Sequence, residues 1–86
     1  MFRGNFRHES VIADHTEVIR HYPERGHTYF NRGSCLVRLE KYDDAVRDSG
    51  ESLRLDPTSF MTFNNRAETY RRQGRLDLAI KDIDEA

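Results

Sequence analysis

The sequence predicts an all-α fold built from helix hairpins that recur every 34 residues. Three observations carry this. Shifting the chain on itself by 34 residues aligns twelve identical pairs: Asp14/Asp48, Glu17/Glu51, Arg20/Arg54, Pro23/Pro57, Thr28/Thr62, Asn31/Asn65, Arg32/Arg66, Arg38/Arg72, Asp43/Asp77, Ala45/Ala79, Asp48/Asp82 and Glu51/Glu85. Chance would give about three at ordinary composition. Apolar residues recur at helical spacing, and no stretch alternates as a strand would. Helix-stopping residues fall at matching points of the period, with proline at 23 and 57.

The elements follow in order. Residues from about Glu9 to His21 form a helix with Val11, Ile12, Val18 and Ile19 on one side, ending before Pro23. A second helix runs from about His27 to Leu39, with Tyr29, Gly33, Leu36 and Val37 inward. A third opens at Tyr42 and Asp43, with Asp43 as its expected N-cap. It carries Ala45, Val46, Leu53 and Leu55 and stops at Asp56-Pro57. Thr58 or Ser59 caps a fourth, which runs to about Arg72, and Gly74 stands where a C-terminal glycine cap belongs. A fifth spans Asp77 to Ala86, with Ala79, Ile80 and Ile83 inward.

At 86 residues the chain holds one small domain. Its formal net charge of −1 provides no general attraction for nucleic acid. The first ten residues lack an apolar core of signal-peptide type, and no apolar run approaches membrane-spanning length. The single cysteine, Cys35, excludes an internal disulfide and fits a reducing compartment. The expected location is therefore intracellular, in the cytoplasm. No catalytic, metal or cofactor site is expected. None of the four histidines (His8, His15, His21 and His27) pairs with another at i,i+4, and there is no HExxH motif or phosphate-binding glycine loop. His8 and His15 lie two turns apart, about 10 Å along a helix, too far to share an ion.

These features resemble the tetratricopeptide repeat (TPR) family. The complete repeat, residues 26–59, supplies Tyr29, Gly33, Leu36, Tyr42, Ala45, Ser52 and Pro57 at the family's positions. A truncated repeat, residues 60–86, supplies Phe63, Ala67, Tyr70, Leu76, Ala79 and Ala86. Residues 1–25 form a partial repeat, mainly its second helix, with Val11, Val18 and Pro23. Small residues at 33, 45, 67 and 79 let helix backbones approach closely, and aromatics at 29, 42, 63 and 70 fill the space beside them. Two residues depart from the pattern. Ser49 stands where the family prefers a large apolar side chain, and Gly50 follows it inside a helix, which costs about 1 kcal/mol relative to alanine. The resemblance implies a right-handed α-solenoid, with the first helix of each repeat lining a concave groove.

Charge separates by helix. Residues 26–41 carry three basic residues against one acidic, and residues 60–76 four against one, while the helices between and around them are net negative. By the resemblance, the groove is basic and the back acidic; partial cancellation between neighbouring helices explains the same pattern. Asn31 and Asn65 stack along one wall, and in TPR proteins an asparagine there often bonds the backbone of an extended peptide. Arg38, Arg71 and Arg72 follow on the same helices and suit acidic side chains or a terminal carboxylate. His27, Phe30, Met61 and Asn64 complete a mixed apolar and polar lining. The chaperone-tail clamp of some TPR proteins needs a lysine and a second asparagine where this chain has Phe30 and Ser34, or Asn64 and Glu68, so that clamp is incomplete. Arg32 and Arg66 each precede an aspartate by sixteen residues, and the pairs Arg32–Asp48 and Arg66–Asp82 are expected to hold the hairpins in register.

The expected function is binding of a protein or peptide, an acidic one among the expected partners, without nucleic acid or membrane. Two alternatives stand beside it: a scaffold segment that stacks on another chain through open repeat ends, and the non-catalytic TPR region of a larger enzyme. RNA binding by a pentatricopeptide-type solenoid is disfavoured by the period and the net charge.

Overall fold

A computed structural model describes residues 2–85, with side chains described over 7–84. It contains five helices: α1 (Phe2–His21), α2 (Gly26–Arg38), α3 (Tyr42–Leu55), α4 (Phe60–Arg72) and α5 (Leu76–Glu85). Each helix packs on the next, closely within the hairpins α2/α3 and α4/α5, and α2 also touches α4. The result is an all-α helical-repeat stack measuring 33 × 32 × 16 Å.

Close approach depends on small side chains. Ala45 is fully buried, and Ala67 and Ala79 nearly so. At Gly33 an added Cβ would sit 3.3 Å from the Asp48 Cβ and 3.4 Å from the Ala45 carbonyl oxygen, so α2 lies almost in backbone contact with α3. Leu36, Val37 and Ala45 form the core, with Ile12 and Tyr42 packed against it.

Helix ends differ from expectation in several places. α1 begins at Phe2, about two turns earlier than Glu9. No proline interrupts residues 2–9, and the single Gly4 costs too little to break a helix. Asp43 does not cap α3. The cap position is Lys41, without a side-chain bond, and Asp43 lies in the first turn beside Asp44, where the positive helix end favours carboxylates. Ser59 caps α4 by accepting from the Thr62 N–H at 3.3 Å, while Thr58 bonds Asp56 instead. α5 begins at Leu76, one residue before Asp77, and the expected end at Ala86 lies outside the described residues.

Two helices end in the same left-handed turn. Gly74 has φ +80, and Glu40, one period earlier, has φ 61. Glu40 and Lys41 donate backbone N–H bonds to Val37 and Leu36, both at 2.9 Å, as Gly74 and Arg75 do to Arg71 and Tyr70 at 3.0 and 2.8 Å.

Three apolar residues expected inside are exposed. Ile80 and Ile83 are 59% and 58% exposed, on a side of α5 that no described element covers, and Val18 is also exposed. Ser49 is buried with its Oγ unpartnered. Gly50 continues the helix, and an added Cβ there would touch nothing within 4 Å, so it does not serve a close neighbour.

Candidate functional site

Two equivalent ion pairs each join the two helices of one hairpin. Arg32 donates from Nε and Nη2 to the two oxygens of Asp48 at 2.7 and 2.8 Å. Arg66 does the same to Asp82 at 2.7 and 2.9 Å. Both aspartates are buried, and the carboxylate bond raises the pKa of each arginine above its ordinary value. Aromatic rings flank the guanidiniums: Arg32 lies 5.8 Å from the Tyr29 ring centre, and Arg66 lies 5.8 and 5.7 Å from Phe63 and Tyr70. Each fork also meets the carboxylate edge to edge, the geometry that fixes orientation best. Arg32 additionally donates to the Thr16 hydroxyl of α1 at 3.3 Å.

The remaining candidates lie along α2 and α4. The Asn31 amide lies 3.0 Å from His27 Nε2 on its own helix. The Asn65 amide donates at 3.4 Å to the Ser34 hydroxyl, crossing from α4 to α2. Both asparagines are half-buried, and neither Oδ1 has a hydrogen-bond partner among the described residues. Phe30, Met61 and His27 border a cleft of about 160 Å³ between the starts of α2 and α4, with Asp56 and the hydroxyls of Ser52, Ser59 and Thr62. Met61 and Asn64 are exposed and Phe30 is half-buried.

The arginines do not form one cluster. Arg71 and Arg72 both bond Glu68 on α4. Arg38 is exposed and bonds no described residue. Glu68 was absent from the sequence-derived candidates, although its spacing of three and four residues from two arginines marks an intrahelical contact. Two further contacts were not anticipated. The hydroxyls of Ser52, Thr62 and Ser59 form a chain of 3.2 and 2.8 Å, and Gln73 donates to Asp43 at 2.6 Å.

Among the described residues, no group of three or more histidine, cysteine, aspartate or glutamate side chains gathers as it would around a metal ion. Among the described residues, no helix is long and apolar enough to cross a membrane. Burial raises the Cys35 thiol pKa, against the weaker opposing field of Arg38, so its thiolate is disfavoured.

The stacked hairpins define a helical-repeat protein, and comparison with known proteins identifies which kind. Two tetratricopeptide repeat models match, one over residues 26–59 and the other over 50–81. The chain belongs to the tetratricopeptide repeat family. It is similar to the yeast (Saccharomyces cerevisiae) Heat shock protein STI1, with 33% identity over 67% of this chain and 9% of the relative. It is also similar to the yeast Small glutamine-rich tetratricopeptide repeat-containing protein 2, with 29% identity over 91% of this chain and 22% of the relative. The human DnaJ homolog subfamily C member 7 is 32% identical over 65% of this chain and 11% of its own length. The chain thus spans less than a quarter of each of these relatives.

TPR modules serve as protein–protein interaction scaffolds, and this chain has the repeat pattern and the packing of one.

Proposed function

We propose that the face made by α2 and α4 binds an extended or helical peptide bearing acidic residues. The observation that carries this reading is the pair Asn31 and Asn65, one repeat apart, each with an amide oxygen open to a peptide N–H. The stacking geometry supports it. α2 and α4 touch, whereas α1, α3 and α5 make no contact with one another, so the stack curves toward α2 and α4. On this reading the basic helices line the inner side and the acidic ones form the outer. Phe30 and Met61 supply apolar contact and the arginines supply charge.

Affinity capture from native lysate tests the reading, with a variant carrying Asn31→Ala and Asn65→Ala as control. The wild type is expected to retain partners that the double variant loses, and retention should weaken as salt rises. Salt-insensitive capture, or equal capture by both proteins, refutes it.

A second reading is a scaffold that stacks through the open side of α5. Leu76, Ile80 and Ile83 are exposed along one side of that helix, an apolar surface of the kind that marks an interface. A wild-type chain that stays monomeric at high concentration would exclude self-stacking.

A further inference from the structure

On α4, a single glutamate engages two arginines. Glu68 accepts from Arg71 Nε at 3.1 Å and Nη2 at 2.5 Å, and from Arg72 Nε at 2.9 Å. Three donors and one unit of positive charge are thereby committed within a single helix. Arg71 and Arg72 hold the Glu68 carboxyl below its ordinary pKa, Arg71 contributing most, so it stays ionised at neutral pH.

Two of the three positions differ one repeat earlier: Ser34 stands where α4 has Glu68 and Val37 where it has Arg71, whereas Arg38 matches Arg72. The Ser34 hydroxyl donates to the Phe30 carbonyl at 3.0 Å and accepts from Asn65, and it carries no charge. Val37 is buried, while Arg38 is exposed and bonds no described residue. Arg38 lies two turns after Asn31 and one turn after Ser34, so all three share one stripe of α2. The Asn65–Ser34 bond shows that this stripe faces α4.

We infer that Glu68 is an internal competitor for acidic ligands, holding Arg71 and Arg72 so that Arg38 is the arginine through which this face recognises a carboxylate. This deepens the peptide-binding reading and rests on it. A ligand carboxylate approaching α4 must displace one already held by short intrahelical tethers, and exchanging one charge-assisted bond for another yields little net gain. At Arg38 the ligand displaces only water. Selectivity for acidic peptides is therefore set by one repeat, while the other repeat restrains it.

The test is fluorescence anisotropy with fluorescein-labelled hexaglutamate at low salt, on wild type and on Glu68→Gln, Arg38→Gln and Arg72→Gln. Glutamine keeps the size and helical preference of Glu68 but removes the charge that both arginines share, so Glu68→Gln is expected to bind about three- to tenfold more tightly. Arg38→Gln should weaken binding several-fold, whereas Arg72→Gln in the wild-type background should change it less than twofold. Combined with Glu68→Gln, Arg72→Gln should become costly. Circular dichroism confirms that each variant stays folded. Equal affinity of wild type and Glu68→Gln, or equal losses for Arg38→Gln and Arg72→Gln, overturns the inference while leaving the peptide-binding reading intact. Absence of binding by both wild type and Glu68→Gln overturns the two together.

Discussion

At the scale of single residues, the two arginine–aspartate pairs show how a spacing becomes a contact. Sixteen residues carry the chain up one helix, through the turn and back along the next, so that both members face inward at one level. Asp48 has only 6% of its side chain exposed, while Arg32 keeps 22%. Asp48→Ala would therefore leave a guanidinium without its anion in a mostly dry site. We expect a loss of about 3 kcal/mol, seen as a clear fall in Tm by circular dichroism, and an unchanged Tm refutes the pairing. Ser49 has the opposite liability, since its buried hydroxyl has no partner. Ser49→Ala removes that unpaired group and should stabilise the protein by about 1 kcal/mol in chemical denaturation; a loss of stability would show that the hydroxyl is satisfied. The sequence marked Ser49 as out of pattern. It could not show the missing partner, because that depends on which atoms of α2 stand opposite.

At the scale of elements, the helix ends separate what the sequence reveals from what it hides. Gly74 was readable as a terminator because glycine favours positive φ. Glu40 adopts the same turn, yet its side chain gives no such sign, and only the 34-residue register exposes the equivalence. Glu40→Gly should relieve the left-handed strain and raise unfolding free energy by about 1 kcal/mol, with the denaturant slope unchanged. A decrease would mean that the Glu40 side chain makes a contact worth more than the strain. The early start of α1 was hidden for a different reason: no capping residue or proline marks a boundary there. Similarly, Asp43 has the chemistry of a cap but sits two residues past the cap position, where it meets Gln73 instead.

At the scale of the whole molecule, the repeat and the helix order were legible because each hairpin is a short-range unit whose pattern recurs. The exposed face of α5 was not. Ile80 and Ile83 have the same helical spacing as core residues, and periodicity alone does not say which apolar side another element covers. Replacing both with lysine should leave Tm nearly unchanged, since both side chains are already mostly in water, and should suppress any concentration-dependent association in sedimentation velocity. A steep fall in Tm would place them in a packed core. The asparagines and basic helices on which the proposed binding face rests are features of the sequence. A charge count hides that Glu68 engages two arginines at once, although its spacing of three and four residues from them carries that signal.

The contacts between successive hairpins also differ from one edge of the stack to the other. Where α3 hands over to α4, the Ser52, Thr62 and Ser59 hydroxyls are joined in a largely buried chain. At the opposite edge, the turns are joined by the exposed Gln73–Asp43 bond. Mechanically, the buried edge is a pivot and the exposed edge a clasp. A force that spreads the hairpins would release the clasp first and swing them about the pivot, widening the space between the ends of α2 and α4 where Arg38 and Arg72 stand.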